Sequence, residues 1–101
     1  MRLFGEDYPA NSWRSALIIN CSVLAARHGE DFVQRAVTLR GRKRPYIAPT
    51  PEGMFTPHQI PGTSLWVETN FNAKATQRLI QRLLALFGHP PDAVEIYTSD
   101  T

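Results

Sequence analysis

The strongest candidate for chemistry in the chain is a pair of asparagines beside the start of a predicted helix. Residues 69–72 are Thr-Asn-Phe-Asn and are followed by Ala73 and Lys74; we refer to residues 69–72 as the TNFN loop. An asparagine amide can bond adenine bidentately in the major groove, and a helix N-terminus attracts phosphate. The pattern indicates a DNA contact in which Asn70, Phe71 and Asn72 meet bases. The structural alternative is that Asn72 only caps the helix and Asn70 only supports the turn.

Positive charge is clustered, although the formal net charge is only +2. Lys74 lies in the first turn of the predicted helix, where a cation opposes the helix dipole at a cost of roughly a few tenths of a kcal/mol. A phosphate would relieve that cost. A run at residues 40–44 adds further cations, and such clustering suits a local anion-binding face. The alternative is a solvated helix exit. The residues expected to contact phosphates are Arg42, Lys43, Arg44 and Lys74. Arg78 and Arg82 are expected to be solvated on the same face as Lys74.

Other functional classes find little support in the residue types. The single Cys21 excludes an internal disulfide and a multi-cysteine metal site. The three histidines, at 28, 58 and 89, have no neighbour at metal-ligand spacing, and no Ser–His–Asp arrangement is visible. Residues 1–13 lack the apolar core of a signal peptide, and residues 16–19 are too short an apolar run to span a bilayer. We expect a cytoplasmic, nucleoid-associated protein that is not an enzyme and has no cofactor, metal or membrane partner.

Three helices are predicted to position these residues. Asn11 or Ser12 can cap a first helix that begins at Trp13 and ends at residues 27–29, apolar nearly all round and therefore central to the core. A second helix is predicted after Gly29, ending at Gly41 with Arg40 in its last turn. The third begins after Asn72 and ends at Gly88. Its apolar face consists of Leu79, Ile80, Leu83, Leu84 and Phe87. A short terminal helix is expected over residues 92–97.

The segment between the second and third helices predicts strands rather than helix. Its proline density forbids a long helix. Residues 45–48 are predicted to form a short strand, residues 61–63 a turn, and residues 64–69 a second strand with Leu65 and Val67 on one face and Trp66 and Glu68 on the other. The fold class predicted is α+β, with helices packed against a small two- or three-stranded antiparallel sheet. Residues 1–101 are expected to form a single DNA-binding domain, helical over 12–38.

Two motifs in the second half resemble the DNA-binding domain of the SeqA family, bacterial replication-sequestration proteins that negatively modulate initiation. Residues 41–47, Gly-Arg-Lys-Arg-Pro-Tyr-Ile, are similar to that family's G-R-x-R-x-Y segment. Residues 60–72 are similar to its P-G-T-x-x-W-V-x-T-N-x-N segment. The resemblance covers residues 39–97 well, and the part from 41 to 101 contains both motifs.

The resemblance implies binding to double-stranded DNA at GATC sites that are hemimethylated or methylated on adenine, in replication control. It implies that Asn70 and Asn72 lie at the methylated site in the major groove and that Arg42 and Arg44 help hold the DNA. Phe71 stands where the family has a small polar residue, and residues 73–76 replace a Gly-containing basic stretch. The family's N-terminal oligomerisation domain is not in this sequence, so a monomer or weak dimer is expected. The alternative is a protein-interaction module with the same fold that has lost methylation-specific DNA binding, with Phe71 as an exposed anchor.

Overall fold

The computed structural model describes residues 1–41 and 45–96. Three helices in this part of the chain pack together: α1 (Trp13–His28), α2 (Glu30–Ala36) and α3 (Ala73–Leu86). Two three-stranded antiparallel sheets accompany them. The α+β class predicted from the sequence is confirmed.

Helix α1 begins and ends where local chemistry predicts. The Ser12 Oγ accepts a hydrogen bond from the backbone N–H of Ser15 at 3.1 Å, so Ser12 rather than Asn11 is the cap. Gly29 ends the helix with a φ of 57°, a left-handed conformation that glycine adopts without a Cβ penalty. Helix α1 packs against both α2 and α3, which confirms its predicted central place.

Helix α2 is shorter than the sequence predicts, and the prediction that it extends to Gly41 is wrong. It ends at Ala36. The backbone N–H groups of Thr38 and Leu39 close a turn onto the carbonyls of Arg35 and Ala36. The Leu39 carbonyl then accepts from the N–H of Tyr46 at 3.3 Å, and Arg40 forms an isolated antiparallel bridge with Pro45. Because these backbone groups pair across a loop, they cannot continue a helix, and Arg40 is not in a helical turn.

The central sheet has the strand order β3 (Ile47–Ala48), β5 (Trp66–Glu68), β4 (Pro57–Gln59). The first two confirm the two predicted strands with narrower bounds. Strand β4 was not predicted, because its segment is rich in proline. Pro57 is its first residue, a position at which a proline is tolerated in a sheet.

A second sheet was not anticipated from the sequence. It has the order β2 (Glu6–Asp7), β1 (Arg2–Leu3), β6 (Val94–Glu95). Leu3 faces Val94 across the sheet, and both side chains are buried. The predicted helix over residues 92–97 is therefore wrong: a 3₁₀ turn at Pro91–Ala93 leads into β6, because pairing with β1 satisfies the backbone there. Tyr97, the last residue of that prediction, lies outside the described residues.

The core is a single cluster of buried apolar residues to which all three helices and both sheets contribute. All five apolar residues predicted for the face of α3 are buried: Leu79, Ile80, Leu83, Leu84 and Phe87. Burying a side chain of this size fully contributes about 1.5–3 kcal/mol. Val67 of β5 is fully buried in the same core. The core therefore fixes β5 relative to α3, and the chain that joins them is the TNFN loop. In the described part of the chain, no helix is long and apolar enough to cross a membrane.

Candidate nucleic-acid interface

Asn72 caps α3, as predicted. Its φ of −72° and ψ of 171° are extended, and its Oδ1 accepts a hydrogen bond from the backbone N–H of Ala75 at 2.8 Å. Thr76, which is buried, donates its hydroxyl to the Asn72 carbonyl at 2.9 Å. The Asn72 side chain is nevertheless exposed. An amide oxygen has two lone pairs, so Oδ1 can accept a second hydrogen bond while Nδ2 remains a donor. The capping interpretation and the base-contact interpretation are therefore compatible.

Asn70 is exposed, whereas Thr69 before it is buried at 4%. The Thr69 hydroxyl donates to the carbonyl of Thr56 at 2.7 Å, and its backbone N–H donates to the same oxygen at 3.1 Å. The N–H of Phe71 donates to the Thr69 carbonyl at 3.0 Å, which tightens the loop. Thr69 thus anchors the TNFN loop to the segment that precedes β4. The side-chain amides of Asn70 and Asn72 therefore extend from a loop that is fixed at its first residue.

Phe71 is half-buried rather than fully exposed. Its ring meets Tyr46 edge to face, with centroids 5.6 Å apart, a geometry that is favourable for aromatic pairs. The guanidinium carbon of Arg82 lies 5.5 Å from the Tyr46 ring centroid. Phe71 therefore stiffens the loop between the two asparagines. The interaction-module hypothesis assigned it the role of an exposed anchor, and a half-buried ring offers only part of its surface for that.

Glu68 is a site residue that the sequence pattern did not reveal. It was predicted to lie on the face of its strand opposite Val67, which is buried, yet Glu68 is itself only 6% exposed. Its Oε2 accepts from the N–H of Phe55 at 2.6 Å, and its Oε1 accepts from Thr56 at 2.8 Å. The same Oε1 also accepts from the N–H groups of Thr69 at 3.0 Å and Asn70 at 3.3 Å. A single carboxylate thereby ties the TNFN loop to residues 55–56.

The hydrogen bonds also decide the charge state of this carboxyl. Burial alone raises the pKa of Glu68, but the backbone N–H donors of Phe55, Thr56, Asn70 and Thr69 together outweigh it and hold the pKa below its ordinary value. The ionised form is therefore the one bound in the fold. Carboxylates that accept several N–H bonds are held firmly, since charge-assisted bonds are about twice as strong as neutral ones.

The predicted phosphate-contacting residues divide into two groups. Arg42, Lys43 and Arg44 lie outside the described residues. Lys74 is exposed in the first turn of α3, which contains no acidic residue to offset it. Arg78 and Arg82 are exposed and line a shallow groove along α3 with Lys74, Gln77 and Gln81. The face predicted from the helical spacing is therefore present as a continuous basic strip.

A second groove joins the TNFN loop to the start of α1. It is lined by Ser12, Trp13, Arg14, Thr69, Phe71 and Ala73. Arg14 is exposed, and the first turn of α1 contains no acidic residue. Sequence reasoning did not single out Arg14, because no local pattern connects it with a loop more than fifty residues away.

Two of the three histidines pair in space. The Nε2 atoms of His28, at the end of α1, and His89, after α3, are 2.9 Å apart. Burial lowers the pKa of His89 first of all, and the charges of His28 and Arg27 lower it further. In residues 1–41 and 45–96, no group of three or more His, Cys, Asp or Glu side chains could hold a metal ion.

The fold and site define a small α+β protein that presents exposed amides at the N-terminus of a helix with a basic face. The chain matches the family described as SeqA protein C-terminal domain over residues 14–99, and it belongs to that family. It is 32% identical over 84 residues to a protein named negative modulator of initiation of replication from Vibrio cholerae serotype O1, covering 75% of this chain and 48% of that protein. A protein of the same name from Tolumonas auensis is 30% identical over 74 residues, covering 67% of this chain and 44% of that protein. The chain thus spans about half the length of these relatives.

Proposed function

We propose that this chain binds double-stranded DNA without catalysing a reaction, and that it recognises GATC sites hemimethylated or methylated on adenine in the control of replication. The observation that carries the proposal is the exposed pair Asn70 and Asn72, held at the N-terminus of α3 in a member of the SeqA C-terminal domain family. The relatives' names, negative modulators of initiation of replication, favour the replication role. In this proposal, the chain acts at the nucleoid.

The proposed recognition divides the residues by chemistry. Asn70 and Asn72 contact base edges, because an amide offers an acceptor and a donor that match adenine N6 and N7. N6-methylation leaves one N–H donor and adds an apolar methyl group, so a closely fitting loop distinguishes the states by shape and by one hydrogen bond. Phe71 lies between the two amides, and its packing against Tyr46 limits how far they can move.

Phosphate contacts supply the affinity that does not depend on sequence. Lys74, at the N-terminus of α3, is assigned to a phosphate together with Arg42, Lys43 and Arg44 of the basic run. The exposed strip along α3 that continues from Lys74 supports this assignment, since it extends the positive face away from the TNFN loop.

The test is a titration of duplexes that contain one GATC site in unmethylated, hemimethylated and fully methylated form, at two salt concentrations. The expected result is tightest binding to a methylated form and weaker binding of every duplex at higher salt. Equal, weak affinity for all three duplexes would overturn recognition of methylation. Binding that does not change with salt would overturn the proposed phosphate contacts. No binding to any duplex would overturn DNA binding itself.

The basic run has its own test in the double variant Arg42→Ala, Arg44→Ala. If both arginines hold phosphates, affinity falls for all duplexes alike, and the dependence of log affinity on log salt becomes shallower by about 2, roughly 1 for each arginine removed. Discrimination between methylation states should be retained. Unchanged affinity would show that Arg42 and Arg44 do not contact the DNA.

A further inference from the structure

Phe55 is the most exposed large hydrophobic residue in the described part of the chain. Its exposed fraction is 69%, against 40% for Val33 on α2. A single exposed apolar side chain is common on protein surfaces and needs no special explanation. The significance of Phe55 therefore rests on its location.

Phe55 and Asn70 lie just beyond the paired residues of β4 and β5. In the pairing of β4 with β5, Pro57 faces Glu68 and His58 faces Val67. The next pair outward is Thr56 with Thr69, and the Thr69 N–H donates to the Thr56 carbonyl at 3.1 Å as that register requires. Beyond this pair, the backbone N–H groups of Phe55 and Asn70 both donate to the Glu68 carboxylate, at 2.6 and 3.3 Å.

The exposure of the side chains shows which way they face at this end of the sheet. Successive residues alternate between the two sides. Val67 and Thr69 are buried on the core side. Phe55 and Asn70 are instead both exposed, so both side chains face solvent where β4 and β5 meet the TNFN loop.

The Glu68 carboxylate fixes this arrangement. It accepts from the backbone N–H of Phe55 at 2.6 Å and from that of Asn70 at 3.3 Å. Because one buried group binds both segments, Phe55 cannot shift relative to the TNFN loop unless charge-assisted hydrogen bonds break. The backbone at Phe55 is thus held close to the backbone at Asn70, the residue proposed to contact a base.

We infer that Phe55 is a specificity-determining DNA contact, whose ring packs against a base methyl group in the major groove next to the base met by Asn70. The inference rests on the proposed function. A methyl group in the major groove comes from thymine C5 or from an N6-methylated adenine, and both offer the apolar surface that an aromatic ring covers. An amide with an adjacent ring can therefore sense a polar edge and a methyl group on neighbouring atoms of one site.

The experiment measures binding of the wild-type chain, Phe55→Ala and the control Val33→Ala to GATC duplexes. The duplexes are unmethylated or hemimethylated, and each is also made with uracil in place of the GATC thymines. A duplex without GATC reports nonspecific binding. Because the Phe55 side chain is largely exposed in the free protein, Phe55→Ala is expected to unfold near the wild-type temperature, so that weaker binding reports the DNA interface rather than folding.

The expected result is a loss of about tenfold in the affinity of Phe55→Ala for the preferred GATC duplex, the effect of uncovering one apolar side chain. Val33→Ala should match wild type, and nonspecific binding should be unchanged. Where thymine supplies the methyl group, uracil substitution weakens the wild type by about fourfold and Phe55→Ala much less. Where adenine supplies it, the loss in Phe55→Ala is confined to the hemimethylated duplex.

Two results would overturn the inference while leaving the proposed function intact. One is that Phe55→Ala binds every duplex as wild type does while Asn70→Ala loses discrimination. The other is an equal loss on duplexes with and without GATC, which would show that Phe55 has no role in specificity. If the wild-type chain binds no duplex, the proposed function is overturned, and the inference about Phe55 is overturned with it.

Discussion

The carboxylate of Glu68 accepts a hydrogen bond from the backbone N–H of Phe55 at 2.6 Å. This hydrogen bond joins the segment before β4 to the end of β5. Since the same carboxylate also binds the N–H groups of Thr69 and Asn70, one side chain holds the first half of the TNFN loop. A surface that recognises small differences between bases needs such fixed geometry. A loosely held amide would have to be ordered when DNA binds, at a cost in conformational entropy.

Glu68→Gln should lower the free energy of unfolding by about 1–3 kcal/mol, because it replaces a charged acceptor with an amide that also points donors at backbone N–H groups. Urea denaturation measures the loss. Glu52→Gln is the matched control, since Glu52 is exposed in the neighbouring loop. Equal midpoints for the two variants would show that the carboxylate is not a structural tie.

Glu68 should also make the free energy of unfolding fall in acid. The pKa of Glu68 in the fold is below the 4.5 of the free side chain, so the unfolded chain takes up the proton first as the pH falls. The contribution is complete above pH 4.5 and is lost as the pH falls through the folded value. Unfolding followed between pH 6 and pH 3 should therefore show a shallower acid decline for Glu68→Gln than for wild type. Parallel declines for the two proteins would show that Glu68 does not cause the loss of stability in acid.

Asn72 has two assigned roles that substitution can separate. Asn72→Ala removes both: stability should fall by about 1 kcal/mol through loss of the cap, and discrimination between duplexes should fall by about 1–3 kcal/mol. Asn72→Ser keeps a capping oxygen but cannot form a bidentate base contact, so it should retain stability and lose discrimination. If Asn72→Ser discriminates as well as wild type, the residue is a cap only.

Lys74→Ala should raise the free energy of unfolding by a few tenths of a kcal/mol, about the cost of a cation at a helix N-terminus. It should also weaken binding to all duplexes and reduce the salt slope by about 1. Arg2→Ala, in the second sheet, is the control for a change in net charge. Equal losses of affinity in the two variants would assign the effect of Lys74 to overall charge rather than to a phosphate contact.

His89 predicts a second pH dependence, near neutrality. Its pKa in the fold is below the 6.5 of the free side chain, because burial and the charges of His28 and Arg27 disfavour the imidazolium. The unfolded chain therefore binds the proton first, and stability declines as the pH falls below 6.5 toward the folded value. Thermal unfolding between pH 7.5 and pH 5 should show a smaller decline for His89→Gln than for wild type. His58→Gln, outside the pair, should behave as wild type.

Helix α3 and its cap were predictable because their causes are local. The spacing of Leu79, Ile80 and Leu83 defines an apolar face within three turns, and Asn72 needs only Ala75 to act as a cap. The elements that were not predicted correctly depend on residues that are not their neighbours in the sequence. Strand β1 is two residues long and has no pattern of its own, and it forms because Leu3 meets Val94 from the other end of the chain. The predicted extension of α2 failed because Leu39 bonds Tyr46 across a loop.

By itself, the sequence determined the class of fold, the three helix starts, the cap at Asn72 and the likeness to the family, all of which follow from neighbouring residues or from motifs. Only the tertiary structure decided that the amides of Asn70 and Asn72 are exposed and what surrounds them. Alternation alone places Glu68 on the face opposite Val67, but the backbone N–H groups of Phe55 and Thr56, in the segment before β4, bind its carboxylate, and Glu68 is buried. Phe71 packs against Tyr46, and the N–H groups of Phe55 and Asn70 bind one carboxylate, because tertiary contacts rather than chain order set their neighbours.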